Sequence, residues 1–413
     1  MIDLNLLRNN PEHVIGLLKK KDPEYDAQLL FDLDAKLKDL KIEVEDLRHK
    51  KNELAKKGSF EGVTNELKQE SKRIGKELKE KDAQLQKLQG TFKDLYLRCP
   101  NVPEQGVPEG NKESNEVIKE VGSKPEFSFE IKDHIELGKE LDWLDFEMAA
   151  QIAGSNFAFY KGDAVRLMYA LTMYMMKNNI KSGYEPVLPP YLVNEKSLVV
   201  SSNFPKFRDQ VYEIKDQGLF LTPTAEVDLA NMYRNKILSA EQLPIRMTSW
   251  TSCFRSEAGA YGAAERGLIR IHQFEKVELF SICEPENSTN ELDRMIATAE
   301  NILQKLGLHY RISLLAAQDC SFPSAKTYDI EVWMPARKEY YEVSSCSNCT
   351  DFQARRGMIR YRKSADEKPH LINTLNGSSL ALPRLMVAIM ETYQQEDGSI
   401  AIPEFLKKEA LFG

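Results

Sequence analysis

No stretch of this chain stays apolar long enough to cross a bilayer. The most sustained one, "LMYALTMYMM" from residue 167, falls well short of the ~20 residues a helical span needs. The start, "MIDLNLLRNNPEHV", lacks a basic region followed by an apolar core, so no secretory signal is expected. Cysteine is scarce as well. Six in 413 residues do not make a disulfide framework, and a reducing cytoplasm away from any membrane is the expected setting. Glycine-rich phosphate cradles of the G-x-x-x-x-G-K or G-x-G-x-x-G kind are missing, so any nucleotide is held by other means. A net charge of −7 gives no global sign of a nucleic-acid binder. Internal repeats are also absent.

What is present is an ordinary globular composition, 42% hydrophobic and 29% charged, in a chain long enough for two or three domains. From about 27 to 97 proline disappears and a heptad rhythm takes over. Leu30, Leu33, Leu37, Leu40, Val44, Leu47 and Leu54 form one seam, with Lys51 in a seam position. A second seam runs through Leu67, Ile74, Leu78, Leu85, Leu88, Phe92 and Leu95. Two such seams predict a long antiparallel α-helical coiled-coil arm with its turn at Gly58 and Gly62. At ~1.5 Å per residue and about thirty residues per helix, the arm is roughly 45–50 Å long. It carries 16 Lys+Arg against 14 Asp+Glu, in a chain that is otherwise acidic. Arg48, Lys50, Lys51, Lys56 and Lys57 near the tip face only Glu53 and Glu61. Charge of this kind is either an ordinary solvated coiled-coil face or a surface that tracks phosphates. Sparse aromatics favour backbone contact over base stacking. The segment "CPNVPEQGVPEGNKESN" then reads as a linker, which divides the chain into 1–100, a linker 101–115 and a body 116–413.

The body alternates strands and helices without a regular βαβ beat, which predicts an α+β domain, an antiparallel sheet flanked by helices. Strands are expected near 219–222, 246–255, 268–280, 310–317, 327–334 and 339–345. One helix buries Leu167, Leu171 and Met175; another opens at Pro383 and buries Leu385 and Ile389. The stretch "FRSEAGAYGAAERGLIRIHQFEKVELF" from 254 is unusual. With a period of two, Arg270, His272, Phe274, Lys276, Glu278 and Phe280 share one face, and Ile269, Ile271, Val277 and Leu279 the other. That face is either solvated charge or the wall of a site.

Three ordered motifs decide the reading. They are "GYEPVLPPYLV" from 183 with Pro190, "FRSE" followed by "RGLIRIHQFEKVE", and "NGSSLALPRLMVAIME" from 376 with Arg384. In these the body resembles the class II aminoacyl-tRNA synthetases. "TPTAEV" from 222, "YYEVSSCSNCTDFQARR" from 340, "TLNGS" from 374 and "HIELGKELDWLDFEMAAQIAGSNF" from 134, together with the arm, are similar to the seryl-tRNA synthetase family over essentially the whole chain.

That resemblance implies ATP-dependent activation of L-serine and transfer to tRNA(Ser), and also tRNA(Sec), by a homodimer whose arm grips the tRNA. Arg255, Glu342 and Arg384 are the implied catalytic set. Arg255 bridges the serine carboxylate and the α-phosphate, and Arg384 holds the γ-phosphate end. ATP is expected against Arg255, Ser256, Glu257, Phe274, the run Glu342, Val343, Ser344, Ser345, and Arg384. Phe274 stacks under adenine and Glu257 accepts from its amino group. Mg²⁺ is expected on Glu342 and Ser345. Serine is expected against Thr224, Ala225, Glu226, Arg255, Glu278, Asn376 and Ser378. Arg48, Lys50, Lys51, Lys56 and Lys57 are the tRNA candidates.

His272 is at least as well explained by packing as by catalysis, and Cys346 and Cys349 are read as structural. The chain departs from the family pattern at Ser379 and Pro383, where local backbone adjustment is expected, and at Ala263-Ala264. Competing readings are a relative that loads a carrier protein, a non-enzymatic scaffold, and a threonine or proline specificity.

Overall fold

The structure is a computed structural model that describes residues 1–257 and 266–408. The chain divides into two compact units, Asp3–Pro100 and the remainder from Asn101 together with Met1–Ile2.

The first unit is helical. Two short helices, α1 (Leu4–Asn9) and α2 (Pro11–Lys21), precede α3 (Ala27–Glu61) and α4 (Asn65–Leu97). Side chains cap both long helices at the N-terminus: Asp26 accepts from the Leu29 amide and Thr64 from the Leu67 amide. The predicted seam is buried at Leu30, Leu33, Leu37, Val44 and Leu47 on α3 and at Ile74 and Leu85 on α4. Cross-helix pairs Arg48–Asp82 (2.9 Å) and Lys81–Glu43 (2.5 Å) accompany it. A bidentate contact ties α1 to α3, with Arg8 Nε and Nη2 on Asp34 at 2.6 and 2.8 Å.

Two details differ from expectation. Lys51 is exposed, because an ammonium in the seam loses more hydration than its stem gains by burial. Helix α3 also runs straight through Gly58, since a helix absorbs one glycine for about 1 kcal/mol. Only Gly62, at φ 84°, ends it.

The second unit is built on an eight-stranded sheet: β1 (Glu116–Val121), β2 (Glu185–Pro186), β3 (Ile245–Phe254), β4 (Gln273–Cys283), β5 (Tyr310–Leu314), β6 (Lys326–Met334), β7 (Glu339–Asn348) and β8 (Asn373–Ala381). Their spatial order is β1-β5-β6-β7-β8-β4-β3-β2. All neighbours are antiparallel except β2 and β3. Helices α5 (Asp163–Lys181), α6 (Ser288–Leu306) and α7 (Leu382–Thr392) pack on one face, against Val277, Ile330, Val332 and Val343 among others. The other face carries the polar residues discussed below.

The segment 101–115 is held against this unit. Asn101 Nδ2 donates to the carbonyls of Pro323 and Cys349, and Asn348 Nδ2 donates to Glu104. Its prolines make it irregular, and these hydrogen bonds make it ordered.

Strand β4 starts at Gln273, not 268. Gly267–Ile269 is a short 3₁₀ turn in its place. The amide of Leu268 donates to His134 Nε2 at 3.1 Å, and His134 Nδ1 lies 3.2 Å from Glu391 in full burial. Gly267 makes this approach possible. At φ 67° it favours glycine, and a Cβ there would meet His134 Nε2 at 2.2 Å. A buried imidazole from far along the chain therefore ends the alternation early.

Candidate active site

On β4 the side chains of Val277 and Leu279 point into the helical core and are fully buried. On the opposite face Lys276 and Glu278 are only 8% and 1% exposed. The short helix Ala225–Leu229 packs over that face of the strand. Buried charge must be paired. Lys276 Nζ lies 2.6 Å from Glu278 Oε2 and donates to Thr224 Oγ1 at 2.9 Å, while the Thr224 hydroxyl donates to the same Glu278 oxygen at 2.9 Å.

Two clefts meet at Arg255. The first, about 290 Å³, is lined by Arg255, Glu257, Phe274, Lys276, Glu342, Ser378 and Arg384, with a wall from Leu268 to Ile271. The Arg255 guanidinium stands over the Phe274 ring, 5.2 Å from its centroid, and its Nε donates to the Pro223 carbonyl. Arg384 Nη1 donates to both the carbonyl and the carboxylate of Glu342, at 2.7 and 3.1 Å. Arg270 pairs with Glu257, donating from Nε at 2.6 Å. Glu257 itself holds the left-handed conformation, φ 49°.

The second cleft, about 320 Å³, shares Arg255, Glu257 and Arg270 and adds Thr224 and Glu226. Glu226 accepts from Gln353 at 2.7 Å and from Asn376 at 3.1 Å. Burial, and then the charge of Glu278, push the Glu226 carboxyl up to about 7, with Lys276, Gln353 and Arg255 pulling the other way.

Arg255, Glu257, Phe274, Glu342, Ser378 and Arg384 thus line one cleft, and Thr224 and Glu226 the other. Glu278 and Asn376 reach the second group through hydrogen bonds. The remaining expected residues sit differently. Ala225 is fully buried in the core. The Ser256 hydroxyl donates to the Asp209 carbonyl at 2.6 Å. Val343 lies in the helical core, and the Ser344 hydroxyl donates to the Ser378 carbonyl. Ser345 pairs in register with Asp329 and lies beside its carboxyl. Burial and neighbouring Glu342 hold that carboxyl well above the carboxylate range, and Oδ1 is buried without a partner.

His272 is packed. Its Nδ1 meets the Arg255 carbonyl at 2.9 Å, and its ring lies 5.2 Å from that of Phe157. Cys346 and Cys349 are buried, Cys346 near the Ser344 hydroxyl and Cys349 near the Asn376 amide. Around Ser379 and Pro383, β8 shifts register between Ser378 and Ala381, Leu380 adopts φ 73°, and Pro383 sits in the first turn of α7. Ala263-Ala264 lie outside the described residues. The basic residues Arg48, Lys50, Lys51, Lys56 and Lys57 belong to the other unit, where all five are exposed.

Sequence reasoning passed over Lys276, Arg270, Gln353 and Asp329. Lys276 and Arg270 were visible as members of the charged face. Gln353 lay within the quoted "YYEVSSCSNCTDFQARR" but without a role of its own, and Asp329 carried no signal, since only strand pairing and helix docking bring them here.

The arrangement offers an aromatic floor, several cations for a polyanion, and next to these a buried group of acceptors suited to an ammonium and a hydroxyl. Comparison with known proteins fits this chemistry. Residues 1–103 match the family described as "Seryl-tRNA synthetase N-terminal domain", and residues 210–393 match "tRNA synthetase class II core domain (G, H, P, S and T)". The chain is 45% identical to the serine–tRNA ligase of Desulfotalea psychrophila, covering 98% of each chain. It is 43% identical to serine–tRNA ligase 2 of Clostridium acetobutylicum, covering 99% of this chain and 98% of the other. The crystal structure of seryl-tRNA synthetase from Pyrococcus horikoshii complexed with ATP matches at a TM-score of 0.91 and 35% identity, covering 99% of this chain and 98% of that one.

Proposed function

The chain belongs to the seryl-tRNA synthetase family of class II aminoacyl-tRNA synthetases, and we propose that it activates L-serine with ATP and charges tRNA(Ser) through the residues described above. The carrying observation is that the cationic, Phe274-floored cleft and the acceptor pocket of Thr224, Glu226 and Glu278 meet at Arg255, with Glu257 and Arg270 beside it lining both clefts.

In the first step a serine carboxylate oxygen attacks the α-phosphorus and pyrophosphate leaves. Arg255 spans the two approaching anions, and its fork suits carboxylate and phosphate at once. Adenine stacks on Phe274 with Glu257 accepting from its amino group, and Arg384 holds the γ-phosphate. The protein contributes position and charge rather than covalent chemistry. In the second step a hydroxyl of the terminal tRNA ribose attacks the seryl carbonyl and AMP leaves. Thr224, Glu226, Glu278, Asn376 and Ser378 receive the serine. Alanine is rejected because it leaves these buried acceptors unpaired.

Glu342 and Ser345 hold Mg²⁺ in this reading. Their oxygens suit a hard cation, and the unpartnered Oδ1 of Asp329 adjoins them. Among the described residues no cluster of three or more His, Cys, Asp or Glu is set to hold a metal, so the ion also depends on the phosphates. When bound, Mg²⁺ neutralises phosphate charge.

Residues 1–100 form the tRNA-binding domain, with the tip cations Arg48, Lys50, Lys51, Lys56 and Lys57 on the phosphates. The segment 101–115 connects it to the catalytic domain 116–413. The active form is a homodimer in the cytoplasm, and tRNA(Sec) is a second substrate. Six buried cysteines, and the lack of any helix long and apolar enough to cross a membrane among the described residues, support that location.

The test is pyrophosphate exchange with purified protein, ATP, Mg²⁺ and single amino acids. Exchange with serine alone is expected; exchange with threonine instead, or with no amino acid, would refute the assignment.

A further inference from the structure

Lys276 holds the acceptors that the proposed reading gives to the substrate's ammonium. Its Nζ is hydrogen-bonded to Thr224 Oγ1 (2.9 Å) and Glu278 Oε2 (2.6 Å), and the Thr224 hydroxyl closes the triangle. A lysine head and the ammonium of free serine are the same chemical group, each with three donors. Both cannot occupy this triangle, because like charges so close repel strongly in a site largely shielded from water.

Lys276 has somewhere to go. It also lines the cleft that contains Arg255, Glu342 and Ser378, and its four-carbon stem is flexible. We propose that Lys276 is a placeholder for the substrate ammonium. In the unliganded protein it neutralises Glu278. Serine displaces it toward the cleft, and its charge then faces the meeting point of the serine carboxylate and the α-phosphate. Amino-acid binding is thereby coupled to assembly of the phosphate site. The inference rests on the serine reading of the acceptor pocket. The competing arrangement is a permanent Lys276–Glu278 pair, with the substrate ammonium on Glu226 and Asn376 alone.

The two make opposite predictions for Lys276→Met. Binding of L-serine, and of L-serinamide, which lacks the carboxylate, is measured by calorimetry without ATP; pyrophosphate exchange is measured separately. The placeholder predicts serinamide binding tighter by about tenfold, serine binding no weaker than wild type, and kcat of exchange lower by about a hundredfold or more. Unchanged or weaker serinamide binding, or serine binding weaker by about tenfold, overturns it. Lys276→Arg serves if the Met variant does not fold. Its planar fork fits the triangle poorly, so the same split is expected at smaller amplitude. If wild-type protein shows no serine-dependent exchange, the functional reading itself fails, whatever the variants do.

Discussion

The arm and the catalytic unit solve the problem of burying a sequence in opposite ways. In the arm each buried residue meets partners fixed by one helical period, so Leu37, Val44 and Leu85 find each other through spacing alone. Most polar groups there stay at the surface and pair with a neighbour on the same or the facing helix; buried Asp34, held by Arg8 of α1, is an exception. In the catalytic unit the consequential contacts join residues far apart in the chain. Glu226 meets Asn376, Arg384 meets Glu342, and His134 meets both Leu268 and Glu391. Most charge in the arm is solvated, whereas Lys276 and Glu278 in the sheet are buried and committed to specific partners. Substitutions in the arm should therefore be local and graded, and those in the sheet severe and chemical.

The largest expected effect tests the sheet. Arg255→Ala removes a cation that lines both clefts and should lower serine-dependent exchange by about 10³-fold or more, with far-UV circular dichroism unchanged. A loss under tenfold would show that the clefts do not meet functionally at this residue. Next comes the arm tip. Replacing Arg48, Lys50, Lys51, Lys56 and Lys57 with serine should leave exchange within about twofold. Affinity for tRNA should fall by about a hundredfold at moderate salt, and the salt dependence should flatten by about three to five ion equivalents. An unchanged salt slope would return these residues to the status of an ordinary solvated face.

Smaller still is Leu37→Ala in the seam. It should cost the arm about 2–3 kcal/mol, read as faster amide exchange along α3 and α4, without altering pyrophosphate exchange. If catalysis fell in parallel, the two units would not be energetically separate.

The smallest effect concerns pH. Burial holds the Glu226 carboxyl at about 7, above its ordinary 4.5. The folded chain therefore binds that proton more tightly than the unfolded chain. Its stabilising contribution is full below about pH 4.5 and is lost as pH rises through about 7. Glu226→Gln removes this burden and should raise stability at pH 8 relative to pH 5, by about 2 kcal/mol, in paired thermal melts. No change in the pH dependence would mean that the carboxyl ionises freely. Asp228, pushed up to about 7 by its own burial, is the common background in both proteins.

Much of this was legible beforehand, and what was not shares a cause. The arm could be read almost residue by residue because helix pairing needs only a period. The exceptions, Lys51 and Gly58, are places where a pattern-based reading ignores solvation or overrates one glycine. The alternation on β4 was visible from Phe274 to Phe280. What alternation could not tell was whether the polar face met water or the helix Ala225–Leu229. Nor could it tell that a turn pinned by His134 replaces the strand before Gln273. Within "EVSS", strand geometry separates members that look equivalent in a motif: Val343 faces the core, while Glu342 lines the cleft.

By itself, then, the sequence determined the helical arm, the α+β class of the body and, through its long ordered motifs, the family. Those depend on local periodicity and on residue types at short spacing. Only the tertiary structure decided that Lys276 sits on Glu278 and Thr224, that Asp329 ends beside Ser345, and that Gln353 braces Glu226. Buried charges must find partners, and in a sheet built from strands distant in the chain, the register chooses which partners those are.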